Sequence, residues 1–425
     1  MQKDYANYRF DWITIALFLL LVLFGWVNIM SASHVGEVIE YFDMDQPYGK
    51  QSFFIVFTFG LIILILSIEA KFYERFASLI YVFSIISLIG LFVFGKNVNG
   101  ATSWYAIGGM TLQPSEFAKF ATSLAVAKYI SDMQTNIRTL KDQLKTIAII
   151  VVPSILILLQ NDAGSTVVYA GFFFVFYREG LQQIYLFIAI AIIILSVLSL
   201  KFGAVFTSIL CLVFIISAHF YRKRKRLRIY QSIILGIICI GFTFGVHYFY
   251  TDVLKDHQQD RISLWLRLEK DPAKLELMKK KEAYNLIQSE EAIKSGGFTG
   301  KGFLEGTRTT GKFVPEQHTD YIFSTVGEEW GFLGSSLVVI LFVALIIRIL
   351  HLAELQKSQF SRVYGYCVAS ILFIHFLINI GMVMGLIPTI GIPLPFFSYG
   401  GSGLWAFTIL LFIFVKLDSN RLYDW

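Results

Sequence analysis

The chain has 425 residues, is 56% hydrophobic with 41 Phe, and is only 16% charged, against roughly 25% charged in an ordinary soluble domain. A soluble globule could not bury that much apolar surface, so the composition excludes one. The formal net charge of +6 lies outside residues 251–320, where 12 Lys and Arg balance 12 Asp and Glu; a basic excess in short loops between apolar runs points to membrane topology and headgroups, with no nucleic acid partner.

In chain order, apolar runs near the roughly 20 residues that cross a bilayer as a helix predict twelve spans, at 12–30, 52–68, 78–95, 115–130, 146–160, 163–177, 181–200, 203–220, 230–250, 322–349, 363–385 and 401–417. A helix satisfies its own backbone hydrogen bonds in lipid, so the expected fold is an all-α polytopic integral membrane protein. The spans at 115–130 and 146–160 are short, which implies tilt or a longer helix. Lys3 and Arg9 before the first run, with SAS at 31–33, resemble a signal peptide, but the run is longer than a usual cleavable core and reads as a retained span.

With a cytoplasmic N-terminus, the loops carrying Lys71 and Arg75, then Arg138, Lys141 and Lys145, then Arg178, then RKRKRLR at 222–228, then Lys357 and Arg362 all fall inside, as the positive-inside rule requires. Both termini are then cytoplasmic, and 251–320 is one large loop outside. RKRKRLR sits between two spans and reads as a topology signal. Cys211, Cys239 and Cys367 lie in apolar runs without paired spacing, which indicates neither a disulfide framework nor a metal site.

Polar residues break the pattern in a few places. NGATSWYAIGGMTLQPSE at 99–116 is a Gly-rich outer loop whose Trp104 and Tyr105 suit an interfacial belt. QPSEFAKFATS then puts Glu116 and Lys119 three residues apart on one helix face, an expected ion pair toward the bundle interior. Asp162, in QNDAGST, reads as a turn residue. Within the large loop, Leu286, Ile287 and Ile293 among charges predict a surface-lying helix ended by Gly296 and Gly297.

Five glycines between Gly296 and Gly306, the cations Lys301 and Arg308, and then KFVPEQHTDYIF with His318 and Asp320 complete that loop. Glycines allow close approach to a ligand and Lys and Arg suit phosphate, but no P-loop spacing is present. His375 and Asn379, four apart, read as interhelical hydrogen-bond partners. By this topology Glu116, Lys119, Asp162, Lys301, Arg308, His318 and Asp320 gather at the outer side, the arrangement wanted by an enzyme acting on a lipid-borne headgroup; a proton-driven transporter would want them mid-membrane.

GATSW with QPSEFAKF, QNDAG, IKSGGFTGKGFLEGTRTTGKFVPEQHTDYIF, GEEWGFLG and NIGMVMGLIPTIGIPLPFFSYGGSG together resemble the SEDS (shape, elongation, division, sporulation) family of peptidoglycan glycosyltransferases. The match runs from about residue 10 to 418 and looks closer to the rod-shape branch than to the division branch. The resemblance implies a single membrane domain that polymerises lipid II onto a nascent glycan strand in cell-wall elongation. It also implies a class B penicillin-binding protein as transpeptidase partner, among other elongation-complex membrane proteins.

Asp320 matches the family's catalytic aspartate, Glu116 and Lys119 its buried polar pair, and Trp104 its outer-loop tryptophan. Lys301 and Arg308 are expected to face pyrophosphate, with His318 as helper or bystander. No cofactor is required by the sequence, though a divalent cation could arrive with the substrate. Ser103 departs from the family's basic residue, and Asn161 from its proline in QPDxG. The twelve expected spans exceed the family's ten, with an apparent extra pair at 181–228. The rival reading is a lipid II flippase.

Overall fold

The computed structural model describes residues 10–34, 43–98, 100–107, 110–132, 135–221, 229–269, 271, 275–278 and 283–421; Lys3, Arg9 and the RKRKRLR run lie outside them. Helices dominate: α1 (Trp12–Ser33), α2 (Pro47–Ser67), α3 (Ala70–Phe94), α4 (Pro114–Ser131), α5 (Leu140–Leu159), α6 (Ala163–Val168), α7 (Phe172–Arg178), α8 (Gln183–Phe202), α9 (Ala204–Tyr221), α10 (Ile229–Tyr248) and α11 (Asp256–Leu266). They continue as α12 (Tyr284–Gly296), α13 (Thr307–Thr310), α14 (Ile322–Glu329), α15 (Gly331–Glu354), α16 (Gln359–Val383) and α17 (Gly401–Ser419).

Every expected span has a helical counterpart. Among the described residues nine helices are long and apolar enough to cross a membrane. The other three expected spans fall on α4, whose hydropathy is lowered by Glu116, Lys119 and Lys128; on α6 and α7, separated by a 3-10 turn at Tyr169–Gly171; and on the shorter α9. The short run 146–160 is part of a longer helix, α5, capped by Thr139. Pro153 inside α5 cannot donate to the Ile149 carbonyl, and the Tyr81 hydroxyl of α3 donates to that carbonyl instead, at 2.9 Å.

Two local differences from the sequence reading have clear causes. The outer loop at 99–116 was expected without strands in an all-α fold, yet it carries a three-stranded antiparallel sheet, β1 (Lys96–Val98), β2 (Ala101–Ile107) and β3 (Met110–Leu112), in that order. Tyr105 pairs with Leu112 and Lys96 with Trp104; Thr, Trp, Tyr and Ile in β2 are strong strand formers. The expected span 322–349 is divided at Trp330 and Gly331, whose φ is +61°, so α15, with 24 residues, can cross alone and α14 lies ahead of the crossing helix.

The described residues form two compact units, one from Met1–Leu181 with Gln288–Trp425 and the other from Gln182–Ile287. In the larger unit α4 packs on α3, α5, α16 and α17. Alanines 118, 121, 125 and 127 on α4 are buried, and small residues let membrane helices approach closely. A central helix sheltered in this way can carry charges that lipid would reject. In the smaller unit α8, α9 and α10 are tied by Ser199 Oγ donating to the Thr243 carbonyl and by a Ser208–Thr243 hydroxyl pair, both at 2.8 Å. The expected extra pair at 181–228 corresponds to α8 and α9, and the expected large loop 251–320 contributes to both units.

Candidate active site

Asp320 lies directly ahead of α14, and its approach is fixed through three successive backbone carbonyls. His318 O accepts from Tyr399 N at 2.9 Å, Thr319 O from Ser398 Oγ at 2.7 Å, and Asp320 O from Asn379 Nδ2 at 2.7 Å. The Asp320 residue is half-buried. It rests against Gly391, where φ is +79° and a methyl group would lie 3.1 Å from Asp320 Oδ2, so glycine suits both the backbone and the space there. The His318 ring packs on Tyr399 with centroids 5.4 Å apart. Burial pushes the His318 pKa below the usual histidine value, leaving a neutral ring at neutral pH.

Thr319, Tyr399, Trp104 and Lys50 line a cavity of about 500 Å³. A smaller cavity of about 60 Å³ shares Trp104 and Tyr399 and reaches Glu116, Pro393 and Phe407. Behind it lies a buried trio: Lys119 Nζ is 2.6 Å from Glu116 Oε1 and 2.9 Å from His375 Nε2, and all three residues are at most 4% exposed. His375 Nδ1 is 3.1 Å from the Pro393 carbonyl. A carbonyl only accepts, so Nδ1 carries the proton and Nε2 receives the lysine. The Phe407 ring, 5.2 Å from Lys119 Nζ, completes the ammonium's surroundings. The expected Glu116–Lys119 pair is therefore present, and His375 joins it across 256 residues of sequence.

The Gly-rich segment winds around Glu328, which is fully buried. Its carboxylate accepts from Lys301 Nζ (2.7 Å), Arg308 N (3.0 Å), and Thr309 N and Oγ1 (both 2.8 Å), with Thr307 Oγ1 at 3.3 Å. Burial alone would raise its pKa; the bonds from the Arg308 amide, Lys301 and Thr309 outweigh burial and hold it below the ordinary value. Next to it, burial pushes Glu329 up to about 7, against the bond it accepts from Ser31. Gly300, at φ +84°, lets the loop pass so close that a methyl group there would sit 2.1 Å from the Glu329 carbonyl.

Lys301 and Arg308, expected to face a phosphate, are both engaged in the protein: Lys301 with Glu328, and Arg308 with Glu291 at 2.5 Å and with Gln288. Gln317 joins the two regions, donating to Thr309 O at 2.8 Å and to Ala32 O at 2.6 Å. The structure thus gathers Trp104, Glu116, Lys119, His318 and Asp320 around adjoining cavities and the segments bordering them, and sets Lys301 and Arg308 in the loop built on Glu328. Among the described residues no group of three or more His, Cys, Asp or Glu is arranged to hold a metal ion.

Sequence reading missed Lys50, Glu328, Glu329 and the link from His375 to Lys119. The adjacent glutamates of GEEWG, just ahead of a long apolar run, were the available signal. Asp162 is the N-cap of α6, accepting from Ser165 N at 2.9 Å, as a turn residue should. Asn161, where the family has proline, sits at φ +63°, a conformation closed to proline, so this turn is built differently.

The family model for the cell cycle proteins FtsW, RodA and SpoVE matches residues 11–232 and 204–423. The peptidoglycan glycosyltransferase RodA of Treponema pallidum is 31% identical, over 97% of this chain and 98% of the relative. The peptidoglycan glycosyltransferase MrdB of Escherichia coli K12 is also 31% identical, over 95% of this chain and 92% of the relative. A solved structure described as structural coordination of polymerization and crosslinking by a peptidoglycan synthase complex superposes with a TM-score of 0.70 at 23% identity, covering 98% and 99% of the two chains. The rod shape determining protein RodA of Thermus thermophilus gives 0.61 at 22%, covering 98% of each. At such identities the two structures speak to the fold.

Proposed function

The chain belongs to the FtsW/RodA/SpoVE family, and from that premise we propose that it is a peptidoglycan glycosyltransferase polymerising lipid II during cell-wall elongation. The observation that carries the reading is Asp320, pinned by its backbone beside a cavity lined by Trp104, Thr319, Tyr399 and Lys50. In the proposed step, the Asp320 carboxylate takes the proton of the acceptor 4-hydroxyl of GlcNAc. The acceptor oxygen bonds to the donor's anomeric MurNAc carbon, and the bond from that carbon to the phosphate oxygen breaks. Undecaprenyl pyrophosphate leaves with the electron pair and configuration inverts.

Cations stabilise the leaving pyrophosphate. Arg308 exchanges partners at small cost, because its pair with Glu291 is partly exposed and such pairs contribute about 0–1 kcal/mol. Withdrawing Lys301 would strip a cation from fully buried Glu328, and breaking a buried pair costs about 3–5 kcal/mol. We therefore assign Arg308, with Lys50 in the cavity wall, to the pyrophosphate and regard Lys301 as a brace for the loop. Glu116 and Lys119 shape the inner cavity wall, and Trp104 offers an aromatic face to a sugar. A divalent cation, where used, would enter with the pyrophosphate.

Under this reading the protein spans the bacterial cytoplasmic membrane with both termini inside and Asp320 outside. It works with a class B penicillin-binding protein and with other membrane proteins of the elongation complex. The description of the peptidoglycan synthase complex among its structural relatives supports that pairing. The test is purified protein and its cognate transpeptidase in detergent with fluorescent lipid II. Long glycan is expected, and in detergent there is no second compartment. Failure to form any strand would favour a flippase.

A further inference from the structure

Of the three carbonyls that fix the approach to Asp320, the last is held from within a membrane helix. Asn379 on α16 is fully buried, and its Nδ2 donates twice, at 2.7 Å to Asp320 O and at 2.7 Å to Ile392 O. An inverted amide would set an oxygen against two carbonyl oxygens, so the orientation is determined by its partners. Among the described residues its Oδ1 has no hydrogen-bond partner, so the side chain acts here through its two donors.

One turn earlier on the same helix face, His375 donates to Pro393 O at 3.1 Å and meets Lys119 at 2.9 Å. The pair 375 and 379 therefore grips two consecutive residues, 392 and 393, of the strap that follows α16. Gly391, the residue just before these two in that strap, is the one lying against the Asp320 carboxylate. Asn379 holds both sides of that contact: the peptide of the aspartate and the strap beneath its oxygen.

We propose that Asn379 is a positioning residue for the transfer reaction, setting the Asp320 carboxylate against the strap, while His375 couples the same strap to the buried Glu116–Lys119 pair. This rests on the reading of Asp320 as the general base. Because Asn379 reaches only protein carbonyls, its loss misplaces the base without removing a substrate contact. The fall then belongs in kcat, by about 100-fold for a displacement near 1 Å, with KM little changed.

The experiment compares steady-state polymerisation of fluorescent lipid II by the full-length protein with its cognate transpeptidase, using wild type, Asn379→Leu, Gly391→Ala and Asp320→Asn. Asn379→Leu is expected to lose about 100-fold in kcat with KM within about twofold; a parental kcat, or a loss confined to KM, overturns the proposal. Should Asn379→Leu not fold, as judged by its thermal transition, Gly391→Ala decides. That variant removes no hydrogen-bonding side chain; its methyl group crowds the Asp320 carboxylate and strains the strap at φ +79°, disturbing the contact from the strap's side. A kcat loss at unchanged KM and unchanged thermal transition supports the proposal and parental kcat overturns it. An active Asp320→Asn overturns the base reading and this inference with it. An inactive Asp320→Asn beside a fully active Asn379→Leu overturns the positioning role alone.

Discussion

Asp320 and Glu328 are carboxylates eight residues apart in one stretch of the chain, and they are held in different ways. Glu328 is held by its side chain: it is fully buried, with a lysine, two backbone amides and a threonine hydroxyl all donating to the carboxylate. Asp320, a half-buried residue next to cavity-lining Thr319, is held by its backbone, through the carbonyls of residues 318 to 320. A carboxylate saturated by fixed donors is a poor proton acceptor, since every bond to the charged form opposes protonation. Under the proposed function Glu328 is then a clamp, and the base is assigned to Asp320 by its place next to cavity-lining Thr319.

That contrast can be broken in graded steps. Asp320→Asn should reduce glycan formation by about 10²–10⁴-fold, the usual worth of a positioned general base, without moving the thermal midpoint. Glu328→Gln should do the reverse in kind. It leaves Lys301 uncompensated and should cost about 3–5 kcal/mol of stability, read as a lowered thermal midpoint in detergent. Lys119→Met should destabilise by about 3–5 kcal/mol because Glu116 is stranded, and adding Glu116→Gln should recover a large part of that loss.

A subtler effect is expected at Glu329. Its folded pKa, raised to about 7, exceeds the unfolded value near 4.5, so the unfolded chain ionises first as pH rises. Folded stability is therefore lost progressively between about pH 4.5 and 7, by at most about 3 kcal/mol. Glu329→Gln should remove this slope: the variant gains on wild type between pH 5 and 8 in thermal unfolding. The smallest effect is expected for His318→Asn. His318 contributes a backbone carbonyl and a ring packed on Tyr399, so polymerisation should stay within a few-fold of wild type at pH 7.5.

The helices were legible because length and apolar composition are properties of contiguous sequence. Glu116 and Lys119 were legible for the same reason, being one helical turn apart. The role of Glu328 was not: its donors come from residues 19 to 27 positions earlier, brought back by a glycine-rich loop that no spacing rule encodes. Nor could His375 be tied to Lys119 across 256 residues. The small sheet at 96–112 was missed because its glycines and membrane-edge aromatics read equally well as a loop, although Thr102, Trp104, Tyr105 and Ile107 carry strand propensity.

The division of labour between base and clamp is tested most directly by single-turnover glycan formation from substrate already bound, measured for Asp320→Asn and Glu328→Gln in the same preparation as wild type. The expected result is lipid II bound normally but not joined by Asp320→Asn, with an unchanged thermal midpoint. For Glu328→Gln it is a lowered midpoint with chemistry retained in the fraction that remains folded. Strand formation at the wild-type rate by Asp320→Asn would contradict the account.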